Sequence, residues 1–235
     1  MIDVGLLASI AIVLIVPAIF VPPWPTSAAA TGLLDTAGGA LLIGLIVGRF
    51  TAVALDDPGS LTRISDLMII RSGVEFWPGV GAGMAWMVWR SNRDHIAPAQ
   101  RLAALTAPAL VAWACYEASC LVRDGCPGPL SSIGLRPDGL IQPMFPVDVV
   151  AAAAAVGAAI ATRRLHRRGM PNLQVVALAI TLLAMIRSVA SIWLPHIGEG
   201  LTRQHKTSFV IAIAATAVFV AIRIRDRRAT GIVKQ

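Results

Sequence analysis

Five ionisable side chains, Arg49, Glu75, Glu117, Asp148 and Arg187, stand inside or at the border of stretches that are otherwise almost wholly apolar. A charge in hydrocarbon is costly, and where one is kept it faces a partner or a water-filled cavity and marks a candidate site. Arg49 and Arg187 are the candidates for holding a phosphate or a carboxylate, because a guanidinium stays protonated in proteins and its planar fork donates two parallel hydrogen bonds. Either arginine can instead pair with Glu117 as a structural ion pair. Glu75 and Asp148 lie shallow enough to reach the interface by snorkelling. Together with Trp77 and Glu117 they are the candidate lining of a polar cavity.

The elements that must carry these charges are membrane helices. The chain has 235 residues, of which 56% are hydrophobic and 14% charged, a balance that excludes an ordinary soluble domain. Apolar runs occur at about Val4 to Val21, Ala37 to Leu55, Phe76 to Trp89, Leu102 to Val122, Phe145 to Thr162, Leu173 to Leu194 and Ser208 to Ile224. Most approach the ~20 residues that cross a bilayer as a helix. The third is short, and Gly79, Gly81 and Gly83 mark it as a helix pressed closely against neighbours. The expectation is an all-α integral membrane protein of seven transmembrane helices, one polytopic domain over residues 1–235.

Basic residues choose the orientation. Twelve of the twenty Lys and Arg fall between spans three and four, between five and six, and at or beyond the end of seven, whereas six fall on the other face. The N-terminus is therefore expected outside and the C-terminus in the cytoplasm. In that frame Trp24 and Trp89 lie near the inner interface, and Trp77 and Trp193 near the outer one. At 1.5 Å per residue, Arg49, Glu117 and Arg187 lie ~9, ~8 and ~10 Å below the outer boundary and Asp148 ~5 Å, with Glu75 at the mouth of span three. All five share the outer half, as a cavity opening toward the outer leaflet requires.

The net charge of +7 follows from the inner loops and reflects topology and anionic-lipid contact rather than nucleic-acid binding. Asp3, with no Lys or Arg before it, argues against a positively charged leader, so the first run is expected to be a retained span. Scarce lysine and abundant alanine suggest a GC-rich bacterial genome, and hence a multi-pass protein of the bacterial plasma membrane. Cys120 and Cys126 are spaced to close a disulfide on an oxidising outer face, leaving Cys115 as a buried thiol. The three cysteines match no zinc pattern, so neither a metal nor a cofactor is expected. His196, in an outer loop with Glu199 and His205, is the histidine placed to act as a base. His95 and His166 fall among cytoplasmic arginines.

Residues 41–83, LLIGLIVGRFTAVALDDPGSLTRISDLMIIRSGVEFWPGVGAG, resemble the prolipoprotein diacylglyceryl transferase family. In that family a Gly-Arg pair near the end of the second span leads through a short Pro-containing loop to an aromatic-His-Gly-Gly motif. Gly48 and Arg49 match the pair, Gly73 the glycine before the motif, Phe76 the aromatic and Gly79 the last glycine. Residues 112–123, AWACYEASCLVR, are similar to the family's Gly-Arg-x-Gly-Asn-Phe-x-Asn-x-Glu signature. Pro143 and Asp148 in QPMFPVD match its His-Pro-x-Gln-x-Tyr-Glu run, and Arg187 falls on the arginine of its late Phe-Arg-x-x-x-Glu run. The resemblance covers most of the chain and implies seven spans with the N-terminus outside. It also implies transfer of diacylglycerol from phosphatidylglycerol to a lipoprotein thiol on the outer side.

Departures fall on the chemistry. Trp77 replaces the motif histidine and Pro78 its first glycine; Ala112 or a neighbour replaces the signature arginine; Cys115 and Cys120 stand for its Asn and Glu; Val4 is nearest to the family's first-span tyrosine. Thiol activation and stabilisation of a departing glycerol phosphate need a base and anion-binding donors. No base stands at the family's positions, so the candidates for catalysis are Arg187, Glu117 and His196. The resemblance implies a catalytically degenerate relative that binds phosphatidylglycerol through Arg49 and Arg187 and serves as a membrane subunit or lipid-handling accessory, with possible partners in a membrane complex. An active transferase with altered residues is the alternative, and an anion transporter a third.

Overall fold

The computed structural model describes residues 4–19, 27–59, 73–122, 126, 128–136, 141–193 and 201–232. Helices dominate: α1 (Val4–Ile19), α2 (Ser27–Asp56), α3 (Phe76–Arg93), α4 (Pro98–Ala118), α5 (Val147–Arg167), α6 (Asn172–Trp193) and α7 (Arg203–Ile232). Each apolar run coincides with one of them. Four helical stretches, Gly32–Asp56, Pro98–Val122, Asn172–Trp193 and Arg203–Arg228, are long and apolar enough to cross a membrane, as in a multi-pass membrane protein. Leu41, Leu42, Leu45 and Phe50 of α2 and Phe209, Val210 and Ile213 of α7 are half-exposed, an apolar surface suited to lipid and not to water.

The chain divides into two compact units, residues 23–102 and residues 1–22 with 103–235. In the first, α2 and α3 pack antiparallel. Leu33, Thr36, Ala40, Gly44, Gly48 and Ala52 form the buried stripe of α2, the spacing of one helix face. Opposite them stand Gly83 and Gly79 of α3 and Glu75 just before it. Ala40 meets Gly83, Gly44 meets Gly79 and Gly48 meets Glu75, stepping four residues forward in one helix and four back in the other. A Cβ on Gly79 would lie 2.7 Å from the Gly44 carbonyl oxygen, and one on Gly44 would lie 2.8 Å from the Gly79 oxygen. Small residues every fourth position let the backbones touch, the commonest way to join helices where no hydrophobic effect operates between them.

At the far end of this hairpin Asp94 caps a charged cluster. Arg101, almost fully buried, donates to it at 2.8 Å, and Arg90 bridges Asp94 at 3.3 Å and Asp35 at 3.4 Å. The hydrogen bond from Arg101, aided by the charges of Arg101 and Arg90 against partial desolvation, holds the Asp94 carboxyl below the usual carboxylate range. A group whose folded pKa lies below its unfolded one binds fewer protons when folded. Its stabilisation is therefore present above the ordinary carboxylate pKa of ~4 and is lost as pH falls through the depressed value. Thermal unfolding in detergent should show an acid-side loss of stability that Asp94→Asn diminishes; an unchanged acid limb in that variant would show that the cluster is not its source.

In the second unit α5 packs on α6 and α6 on α7. Alanines 151, 152, 155, 158 and 159 with Thr162 are buried along one face of α5, again letting backbones approach. Ala107, Leu110 and Val111 of α4 join Ala158, Ala159 and Ala179 in the core, with Val16 of α1 against them. Gln174 donates to Asp226 at 2.9 Å, tying the start of α6 to the end of α7. Between α4 and α5 the chain departs from the expected all-helical pattern. A short 3₁₀ turn, Ser119–Val122, leads to β1 (Leu130–Leu135), which pairs back through Met144, with Ser131 donating to the Pro143 carbonyl and Phe145 to that of Pro129. Gly128 and Gly134 rest on the carbonyls of Phe145 and Met144 with no room for a side chain. Residues 130–135, LSSIGL, lack apolar alternation, so nothing in them announces a strand.

Candidate functional site

Arg187 lies two turns before the end of α6 and reaches α4. Its Nη1 donates to Glu117 Oε1 at 3.5 Å, and its guanidinium carbon stands 5.7 Å from the Trp113 ring centroid. Trp113 and Glu117 are four residues apart on α4 and so share one face. Both partners of the ion pair are about 15% exposed, removed from bulk water yet open on one side. This Nη1–Oε1 contact stands at the outer limit of a hydrogen bond. The aromatic face adds a cation–π attraction that holds the group in place without using its in-plane N–H donors.

One turn beyond Arg187, α7 supplies His205. Its Nδ1 lies 2.9 Å from both the Ser188 carbonyl oxygen and Ser191 Oγ, and Ser191 itself donates to the Ser188 carbonyl at 2.8 Å. Carbonyl oxygens only accept, so the tautomer that satisfies this geometry carries its proton on Nδ1. The basic lone pair of His205 then belongs to Nε2, on the side of the ring away from Ser191. A serine nucleophile activated by Nδ1 does not fit these contacts. Phe209 stacks on the imidazole at 6.4 Å, fixing the ring. Sequence reasoning gave His205 no role, because the match to Ser191 spans a turn and only the packing of α6 on α7 brings the two together.

Arg49 belongs to the other unit and is nine-tenths buried. Its Nη1 donates to the Gly73 carbonyl at 2.9 Å, while the Gly48 carbonyl accepts the Glu75 backbone N–H at 3.0 Å. Gly73 adopts φ +78°, the left-handed conformation that glycine alone adopts freely. Adjacent residues 48 and 49 thus latch the segment that opens α3. Four of the five positions matched in residues 41–83 have packing or backbone reasons of their own: Gly48 and Gly79 as contact points, Gly73 for its φ, and Arg49 as the latch.

The remaining candidates are distributed. Glu75 is buried just before α3 and makes no side-chain cap to that helix; Trp77 sets its ring edge-on to Phe76, 5.1 Å away. Asp148 occupies the first turn of α5, where the positive end of the helix favours a carboxylate. Arg49, Glu75 and Trp77 fall in one unit and Glu117, Asp148 and Arg187 in the other. Cys120 and Cys126 are joined, with their Cα atoms 4.9 Å apart, and Cys115 packs against the α4–α5–α6 core. His196, Glu199 and Trp24 lie outside the described residues. Among the described residues no group of three or more His, Cys, Asp or Glu is placed to hold a metal ion. No family model matches the chain, and no curated protein matches it.

Proposed function

We propose that the chain is a catalytically lapsed, diacylglyceryl-transferase-like protein of a bacterial plasma membrane. It spans the membrane seven times with its N-terminus outside and holds an anionic phospholipid, phosphatidylglycerol by preference, at the outer leaflet as a membrane subunit or lipid-handling accessory. The observation that carries the reading is the Arg187 guanidinium, part-buried in the last two turns of α6, with Glu117 Oε1 3.5 Å from its Nη1 and the Trp113 ring centroid 5.7 Å from its central carbon. A guanidinium stays protonated and its planar fork suits a lipid phosphate. Order and spacing of the Gly-Arg, Pro-Asp and late Arg positions support kinship with the transferases; substitutions at the motif His, Asn and Glu positions support loss of the chemistry.

The active-transferase alternative is favoured by one observation, the His205 ring held one turn from Arg187 with its Nε2 lone pair available as a base. Incubating the purified protein with phosphatidylglycerol and a lipoprotein signal peptide separates the two. Under the proposal the peptide mass stays unchanged while an authentic transferase modifies it alongside. A diacylglyceryl adduct that disappears in Arg187→Ala and His205→Ala would replace the proposal with the alternative.

A further inference from the structure

A cavity of about 280 Å³ opens among α4, α5 and α6, at the end of α6 opposite Arg187. Val175, which lines it, is twelve residues from Arg187, or ~18 Å along the helix. Ala103, Ala104 and Ala107 of α4 form an apolar wall, and Arg163, His166 and Arg167 of α5 contribute the charge. Positions 163, 166 and 167 fall on one helical face, whereas Arg164 between them takes no part in the lining. His166 Nε2 meets Asn172 Oδ1 at 3.0 Å, which fixes the imidazole at the α5–α6 turn.

We infer that this cavity is a second anion site, for a phosphate group, separate from the one at Arg187. Arg163 and Arg167 bring two guanidinium groups to the lining, against the roughly half negative charge that the C-terminal end of α5 presents, and the first turn of α6 presents its positive end to the same space. The volume approaches the lower end of the ~300–1,000 Å³ typical of small-ligand sites, enough for a phosphate and the glycerol attached to it. Arginines around an apolar recess between membrane helices are also the arrangement that takes anionic headgroups. The shared chemistry is therefore a phosphate monoester or diester, supplied either by an anionic phospholipid or by a soluble phosphate.

The test uses the full-length protein in nanodiscs of phosphatidylcholine with phosphatidylglycerol, and in lipid-free detergent with inorganic phosphate. Bound lipid is counted by native mass spectrometry and bound phosphate by calorimetry. Arg163→Gln/Arg167→Gln should weaken binding of whichever source occupies the site by roughly tenfold or more, and Arg163→Lys/Arg167→Lys should restore part of it. Loss in the nanodisc arm alone identifies a lipid headgroup, and loss in the phosphate arm alone identifies a soluble ligand. Arg187→Ala should leave this binding intact, so failure here and failure at Arg187 are distinguishable. Undiminished binding of both probes in the folded Gln pair overturns the inference. Should that pair not fold, undiminished binding in Ala104→Leu, which fills the cavity and keeps its charges, overturns it instead.

Discussion

Replacing Gly79 by valine is expected to lower the stability of the α2–α3 hairpin by about 3 kcal/mol or more, the upper range for forcing extra atoms into a packed interface. Even a single Cβ there would meet the Gly44 carbonyl oxygen at 2.7 Å. That oxygen is backbone of a continuous helix and yields only if the two helices separate, after which Gly48, Arg49 and Glu75 lose their register as well. Gly81, two residues away, has nothing within 4 Å of a built Cβ. Gly81→Ala should therefore be neutral or stabilise by about 0.5–1 kcal/mol through helix propensity. Thermal unfolding of the two variants in one detergent checks both. Equal destabilisation at 79 and 81 would mean that α2 and α3 do not pack through this ladder.

The second large effect concerns Glu117, whose two expected consequences have opposite signs. Glu117→Gln removes a carboxylate that engages Arg187 and should cost about 1–3 kcal/mol of stability, since a part-buried guanidinium then loses that counter-charge. The same change removes a competitor for the guanidinium, so retention of phosphatidylglycerol should rise severalfold. Stability and lipid retention falling together would instead mark Glu117 as part of the lipid site, or as essential to the fold around it.

How far the sequence foretells this molecule differs from element to element. Runs of some twenty apolar residues have one solution in lipid, a helix that satisfies its own backbone; a helix lies over each of the seven predicted runs, and four of them are long and apolar enough to cross a membrane. Close packing in α3 was legible from its glycines, but which glycines carry it was not. Gly79 and Gly83 share a face four residues apart, and Gly81 points elsewhere, a distinction that needs the partner stripe at Ala40, Gly44 and Gly48. The Arg187–Glu117 pair was weighed from charge and depth alone. Arg49 was marked by the same argument, and its bond to the Gly73 carbonyl was not legible, because a buried backbone oxygen attracts a guanidinium as a carboxylate does and sequence does not show where such oxygens point. His205 with Ser191, Gln174 with Asp226 and the strand at 130–135 escaped notice for one reason. Each depends on a contact between segments whose own sequences carry no periodic signal for it.

Counting phosphatidylglycerol bound per chain to wild type, Arg187→Ala and Arg187→Lys in nanodiscs of fixed composition decides whether Arg187 holds a lipid phosphate. Arg187→Ala should carry one lipid fewer than wild type, with Arg187→Lys between them, because an ammonium keeps the charge but loses the planar fork. An unchanged count in a folded Arg187→Ala would contradict it and leave Arg187 and Glu117 as a structural ion pair.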